Sequence, residues 1–185
     1  MRFFALEEWA AANAAYDGDN PPYWHAKIVP DAFTALSGIL WSAAYILMTT
    51  RSFKDKSYSM PIYCLCLNIA WEAVFGFVYA PGLVNQIVFG QWMIVDAFLV
   101  YATVKYGKRE WKHQPLVANN LGWIIFFGCI FCLFLHLSIA ATFVPFVGRR
   151  VVPFTAWPMQ VLINIGCFAQ LVSRGTSNGH SWGIW

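Results

Sequence analysis

The sequence has little charge. Only 11% of its 185 residues are Asp, Glu, Lys or Arg, whereas about 25% are charged in an ordinary soluble domain. The formal net charge is +3, and the basic residues are dispersed between apolar runs, so we expect no nucleic acid partner. With a hydrophobic fraction of 59%, the composition predicts an integral membrane protein.

The chain also lacks the local patterns of nucleotide and zinc chemistry. It contains no P-loop, no G-x-G-x-x-G and no H-E-x-x-H. Its five cysteines all fall within apolar runs, without partners at the loop positions of a structural zinc site. Cys129 and Cys132 form a C-x-x-C, which we interpret as small buried hydrophobic residues. We therefore predict no metal, no cofactor and no disulfide framework.

Five apolar runs are long enough to cross a membrane, because the hydrocarbon core requires about 20 residues of helix. They lie near residues 30–49, 60–80, 83–104, 118–143 and 151–172. Residues 181–185 resemble the start of a sixth run. The predicted fold class is all-α, a polytopic transmembrane helix bundle with five complete helices. We assign residues 1–29 to an N-terminal interfacial or lumenal segment and residues 30–185 to a single bundle.

Positive charges are distributed unevenly among the connections between these runs. Eight lie in the first, third and fifth connections: Arg51, Lys54, Lys56, Lys105, Lys108, Arg109, Lys112 and Arg174. Four lie on the opposite side: Arg2, Lys27, Arg149 and Arg150. Because cytoplasmic loops carry an excess of Lys and Arg, we predict an N-terminus on the lumenal or outer side.

Two acidic residues, Glu72 and Asp96, fall deep within the apolar runs. A charge at the bilayer centre costs at least ~2.5–3.5 kcal/mol, so such residues usually face a bundle interior or a cavity. Helical spacing places four residues on one face of the second run: Asn68, Glu72, Phe75 and Tyr79. Similar stripes follow in the third run, with Phe89, Trp92, Asp96, Val100 and Thr103, and in the fifth, with Trp157, Gln160, Asn164 and Phe168.

An acid among aromatic rings suits carbocation chemistry on a hydrophobic substrate. A low-dielectric pocket disfavours the ionised form of a carboxyl group, so Glu72 would stay protonated and act as a general acid. Aromatic faces stabilise a nearby cation by ~0.5–2 kcal/mol each. A proton-coupled transporter uses the same kind of acid, and a pathway scaffold would need only interhelical hydrogen bonds. The residues alone leave all three interpretations open.

Residues 65–81, LCLNIAWEAVFGFVYAP, resemble the second-helix motif of the fungal integral-membrane terpene cyclases of meroterpenoid and indole-diterpene biosynthesis. That motif is an N-x-x-W-E core followed by an aromatic-rich half-turn. Four other segments of the chain agree with the family: WHAKIVPDAF, QWMIVDAFLVY, AWPMQVLINIG and RGTSNGHSWGIW. The resemblance spans nearly the whole chain beyond residue 20.

The resemblance implies a reaction. Members of the family act without a metal or diphosphate trigger: an acid protonates the terminal epoxide of a prenylated (farnesyl or geranylgeranyl) precursor, and a cation cascade closes the rings. It implies that Glu72 is the catalytic acid, and we infer a catalytic role for Asp96. We expect the substrate-binding residues to be Asn68, Trp71, Phe75, Tyr79 and Trp92.

The resemblance also implies partners and a location. The family has seven membrane helices and a further aspartate in the last one, so we expect that this chain is truncated at its C-terminus. The alternative is that Asp96 supplies the missing carboxyl group. The expected partners are an epoxidised prenylated substrate, membrane lipid, and the prenyltransferase and epoxidase of the same pathway. The expected location is the endoplasmic reticulum or another internal membrane.

Overall fold

The computed structural model describes residues 5–16, 24–80 and 82–184, and its regular elements in those ranges are all helical. Six α-helices follow one another within these described ranges: α1 Leu6–Tyr16, α2 Trp24–Asp55, α3 Ile62–Ala73, α4 Leu83–Glu110, α5 Pro115–Val147 and α6 Val151–Arg174. Helices α2 to α6 correspond to the five predicted runs, which confirms the all-α fold class. Where the sequence predicts the start of a sixth run, the chain forms a 3-10 turn, Trp182–Ile184.

Two helical stretches within the described residues are long and apolar enough to cross a membrane, Asn85–Glu110 and Pro115–Arg174. The second stretch has 60 residues, or about 90 Å of helix, far more than one crossing of a core about 30 Å thick. A φ of 54° at Gly148 ends α5 and separates this stretch into α5 and α6. Large apolar side chains such as Phe131 and Phe134 are exposed along α5, as expected for a lipid-facing surface.

Helix α3 is central, because it contacts α4, α5 and α6. Small residues let its neighbours approach closely, as in other membrane bundles. A Cβ atom placed on Gly128 of α5 would lie 2.8 Å from the Sγ atom of Cys66. A Cβ atom on Gly166 of α6 would lie 2.8 Å from the Sγ atom of Cys64. The polar residues of α3 are therefore enclosed by protein rather than by lipid.

Helix α1 closes one end of the bundle. It packs against α5 and against the 3-10 turn Gly148–Arg150. Trp9 is buried, and its ring meets the edge of the Tyr79 ring with the centroids 5.6 Å apart. Helix α1 thus lies at the same end of the bundle as the α3–α4 and α5–α6 connections. This arrangement is expected when successive helices cross the membrane in opposite directions.

The opposite end is fastened by polar contacts that we call the Arg174 cluster. Its members are Ser57, Tyr58, Glu110, Gln170, Arg174 and His180. Arg174 Nε pairs with Glu110 Oε2 at 2.8 Å, and Arg174 Nη1 donates to the Tyr58 carbonyl oxygen at 2.8 Å. Gln170 Nε2 donates to the same carbonyl at 3.0 Å. The cluster ties the α2–α3 connection to the C-terminal ends of α4 and α6.

Residues 175–179, between α6 and His180, match G-x-S-x-G, the pattern of a serine nucleophile on a strand-to-helix turn. Here the segment follows an α-helix and has no preceding strand. Gly179 has a φ of 81°, and its backbone N–H donates to Asp55 Oδ2 at 3.0 Å. The match therefore reflects a structural turn and carries no hydrolase chemistry.

Candidate active site

Glu72 and Asp96 lie in one buried cluster, although they come from different helices. Glu72 of α3 is 1% exposed and Asp96 of α4 is 0% exposed. Asn68, one turn before Glu72, joins them, since its Nδ2 atom donates to Glu72 Oε1 at 2.9 Å and to Asp96 Oδ2 at 2.7 Å. Helical spacing predicts the Asn68–Glu72 pair, and the packing of α3 on α4 adds Asp96.

Tyr45 of α2 completes this cluster and is absent from the residues that the sequence predicts. Its hydroxyl group donates to Glu72 Oε1 at 3.0 Å, and Asn68 Nδ2 donates to its oxygen. The side chain is fully buried. We call Tyr45, Asn68, Glu72 and Asp96 the acid cluster.

The acid cluster has more acceptor oxygens than donated hydrogens. Asn68 has two amide hydrogens for its three acceptors, the Tyr45 oxygen, Glu72 Oε1 and Asp96 Oδ2, and Tyr45 supplies one hydroxyl hydrogen. Glu72 Oε2 and Asp96 Oδ1 have no hydrogen-bond partner within the described ranges, and no described lysine or arginine pairs with either carboxyl group. Because burying two uncompensated negative charges is costly, the arrangement favours at least one carboxylic proton in the cluster.

Aromatic rings run from the acid cluster along α3 and α4. Successive centroids are 5.2 Å apart for Trp71 and Phe75, 6.1 Å for Phe75 and Tyr79, and 5.2 Å for Trp71 and Phe89. Phe89 then contacts Trp92 at 5.4 Å. The five aromatic residues thus form a continuous wall, and four of them are ones that the sequence predicts as substrate-binding.

Two hydroxyl groups fix the indole rings of this wall. Trp71 Nε1 donates to Thr155 Oγ1 of α6 at 2.9 Å, and Trp92 Nε1 donates to Ser42 Oγ of α2 at 2.9 Å. Neither Thr155 nor Ser42 is predicted from the sequence, because a single hydroxyl residue in an apolar helix is common and usually bonds to its own backbone. Both indoles therefore have set orientations.

A π-helical turn, Val74–Val78, follows α3 directly and begins two residues after Glu72. The Tyr79 backbone N–H donates to the Val74 carbonyl oxygen at 2.8 Å, which is an i→i+5 bond. Such turns occur often at functional sites. The turn adds one residue to the helical register after Phe75, so Tyr79 meets Trp9 of α1 instead of continuing a straight α-helical face.

The stripe predicted on the fifth run does not join the site. Trp157 is 75% exposed and Phe168 is 60% exposed, while Asn164 is exposed and donates to the Gln160 carbonyl oxygen at 2.8 Å. Asn164 instead lines an open groove between α2 and α6. The α2 side of this groove includes Trp41, whose ring packs on Tyr45 with centroids 5.1 Å apart.

The comparisons with known proteins agree on one family. The model of the Pyr4-like transmembrane terpene cyclases matches residues 16–185. The terpene cyclase macJ of Penicillium terrestre is 65% identical over 185 residues, which cover 100% of this chain and 72% of that protein. The Pyr4-family terpene cyclase mfmH of Annulohypoxylon moriforme is 40% identical over 168 residues, 90% of this chain and 68% of that protein.

A third relative, the asnovolin H synthase nvfL of Aspergillus novofumigatus, is 32% identical over 181 residues, 97% of this chain and 71% of that protein. No solved structure matches the chain. The transporter and scaffold interpretations lose their support, because the relatives are named as enzymes. The chain belongs to the Pyr4-like transmembrane terpene cyclases and is a terpene cyclase.

Proposed function

We propose that the protein protonates the terminal epoxide of a farnesyl- or geranylgeranyl-bearing precursor and cyclises it, in meroterpenoid or indole-diterpenoid biosynthesis. The observation that carries this proposal is the acid cluster, in which Glu72 is buried and, among the residues that the structure describes, hydrogen-bonded through Oε1 only. A neutral carboxyl group with a free oxygen is suited to deliver a proton to an uncharged oxygen of the substrate.

In the proposed step, Glu72 transfers its proton to the epoxide oxygen. The bond between that oxygen and the more substituted epoxide carbon breaks, and the π electrons of the next alkene form a new C–C bond to the carbon. The positive charge passes along the prenyl chain until loss of a proton ends the cascade. Trp71, Phe75, Tyr79 and Trp92 present rings to the cation, and Asn68 stabilises the Glu72 carboxylate that forms.

Asp96 is the second acid in this proposal. It accepts from Asn68, so it holds the amide between the two carboxyl groups. A negative charge on Asp96 disfavours ionisation of the neighbouring Glu72, because two like charges would then lie close together in a buried site. Asp96 therefore helps to keep Glu72 protonated at the start of each turnover.

The pathway and the membrane orientation are part of the same proposal. Because an epoxide on a prenyl chain must first be made, a prenyltransferase and an epoxidase act before this enzyme and are its expected contacts. We place it in the endoplasmic reticulum or another internal membrane with a lumenal N-terminus. The end that holds the Arg174 cluster carries most of the loop lysines and arginines, which supports a cytoplasmic position for it.

The test measures cyclised product from membranes that contain the protein and an epoxidised farnesyl or geranylgeranyl aromatic precursor. We expect Glu72→Gln to lower turnover about 100-fold or more, the range of a lost general acid. Asp96→Asn should lower turnover substantially as well. Glu7→Gln, an exposed position on α1, is the matched control and should retain wild-type turnover. Undiminished cyclisation by Glu72→Gln, or no product from wild type with either chain length, would overturn the proposal.

A further inference from the structure

Tyr45 is placed to control how Glu72 holds its proton. Its ring is fixed on two sides, by Trp41 with centroids 5.1 Å apart and by Trp92 at 6.3 Å. Trp92 is itself held by Ser42, three residues before Tyr45 on α2. The Tyr45 hydroxyl group therefore has little freedom to leave Glu72.

Both donors to Glu72 reach the same oxygen. The Tyr45 hydroxyl donates to Oε1 at 3.0 Å and Asn68 Nδ2 donates to Oε1 at 2.9 Å, whereas Oε2 has no partner within the described residues. A neutral carboxyl group carries its hydrogen on one oxygen only. An oxygen that accepts two hydrogen bonds is the carbonyl oxygen of that acid, so the hydrogen belongs on Oε2.

We infer that Tyr45 is a positioning residue that selects Oε2 of Glu72 as the oxygen delivering the proton. This inference rests on the proposed function of Glu72. As the proton leaves Oε2, negative charge develops over both carboxylate oxygens, and the two donors at Oε1 are already in place to stabilise it. Hydrogen bonds to a charged acceptor are about twice as strong as those to a neutral one, so the contact favours the transition state over the ground state.

Tyr45 also lies next to a residue of the open groove between α2 and α6. Trp41, which packs on Tyr45, lines the open groove between α2 and α6. Tyr45 thus contacts both a residue of that groove and Glu72. Its ring contacts Trp92 of the aromatic wall, and its hydroxyl group is part of the acid cluster.

The test replaces only the hydroxyl group. Tyr45→Phe keeps the ring contacts with Trp41 and Trp92, and we expect kcat to fall about 10-fold or more with KM within about twofold of wild type, because the lost hydrogen bond strengthens in the transition state. Tyr58→Phe is the matched control. Tyr58 is also buried, and its hydroxyl accepts from Trp111 Nε1 at 2.8 Å, far from the acid cluster, so its kcat should stay at the wild-type value.

Infrared difference spectroscopy gives a second readout that does not need turnover. The carbonyl stretch of the protonated Glu72 is identified by its absence in Glu72→Gln. In Tyr45→Phe that band should move to higher frequency, because Oε1 has lost a donor, while Tyr58→Phe should leave it in place.

The two experiments separate the inference from the proposed function. An active Glu72→Gln enzyme overturns the proposed function. An inactive Glu72→Gln enzyme together with a Tyr45→Phe enzyme of wild-type kcat, or with an unmoved carbonyl band in folded Tyr45→Phe protein, overturns only the role of Tyr45. Equal losses of kcat and stability in Tyr45→Phe and Tyr58→Phe would reduce Tyr45 to a packing residue and also overturn the inference.

Discussion

Asn68 holds the two carboxyl groups of the site in one arrangement. Its side chain lies on α3 and donates to acceptors on both α3 and α4. An amide is suited to this position because it supplies two hydrogens without adding charge. A hydroxyl residue would supply one hydrogen, and a lysine would form ion pairs and favour loss of the carboxylic proton.

We predict that Asn68→Leu destabilises the protein and nearly abolishes cyclisation. The substitution leaves Glu72 and Asp96 without a shared donor, and each buried acceptor left unsatisfied costs about 1–3 kcal/mol. Product formation and thermal unfolding in detergent measure the two effects. Asn119→Leu, at an exposed position on α5, is the control; equal behaviour of the two variants would contradict the bridging role.

Part of this residue-scale arrangement is predictable from the sequence. Glu72, Asp96 and Asn68 are detectable because a polar side chain in an apolar run needs a buried partner. Tyr45 is not, because a tyrosine is amphipathic and common in membrane helices, and only the packing of α2 on α4 shows that its hydroxyl group reaches Glu72.

At the scale of elements, the closeness of α5 to α3 decides how the acid cluster is enclosed. Gly128 faces Cys66 of α3, and there is no room for a side chain between them. Gly122, further back on α5, has no heavy atom within 4 Å of the place where a Cβ atom would lie. The same helix thus carries one glycine in a tight contact and one in open surroundings.

We predict opposite effects of alanine at these two glycines. Gly128→Ala should lower the melting temperature, because the new methyl group would lie 2.8 Å from Cys66 Sγ and overpacking costs about 1–3 kcal/mol. Gly122→Ala should leave it unchanged or raise it, because alanine favours a helix over glycine by about 0.5–1 kcal/mol. The measurement is the melting temperature of both variants in detergent. A Gly128→Ala protein as stable as wild type would contradict the close contact between α5 and α3 at Gly128 and Cys66.

The positions of the helices were predictable and their exact ends were not. An apolar run marks the part of a helix in hydrocarbon, but α2 begins at Trp24, before its apolar run, and α4 extends to Glu110, beyond its own. The helix continues into the polar surroundings because its backbone hydrogen bonds do not depend on lipid. The π turn at Val74–Val78 was not predictable either, because residues are assigned to helix faces on the assumption of 3.6 residues per turn.

At the scale of the whole molecule, the two ends of the bundle are fastened differently. The N-terminal end is closed by an aromatic contact, Trp9 against Tyr79. The other end is closed by charged and polar groups, with the ion pair of Arg174 and Glu110 among them. The loop charges predict which connections share a face, and the contacts of α1 and of the Arg174 cluster agree with that assignment.

The polar end should make stability depend on pH. His180 is buried in the Arg174 cluster, and burial, with the positive charge of Arg174 adding to it, lowers the pKa of His180 to about 4. An unfolded histidine has a pKa of about 6.5, so below that pH the unfolded chain binds more protons than the folded one. Stability is therefore full above about pH 6.5 and declines as the pH falls toward about 4.

We expect the melting temperature in detergent to fall between about pH 7 and about pH 5, and to fall less in His180→Gln. The other charged groups at this end include Glu110 and Asp55, which remain in both proteins, so the difference between the two slopes belongs to His180. His113→Gln, at an exposed position in the α4–α5 connection, should keep the wild-type slope. Identical slopes in wild type and His180→Gln would contradict this account of the cluster.

The π turn near Glu72 also allows the chain to lose one residue with little disturbance of the helices on either side. A relative with one residue fewer between positions 74 and 78 would close the turn as ordinary α-helix, and everything up to Ala73 would keep its place. Because the π turn holds one residue more than the α-helical turn that would replace it, Tyr79 and the residues after it would keep their places as well. A single deletion there would thus change the side chains of the turn itself, where Phe75 lies, while sparing Glu72 before the turn and Tyr79 after it.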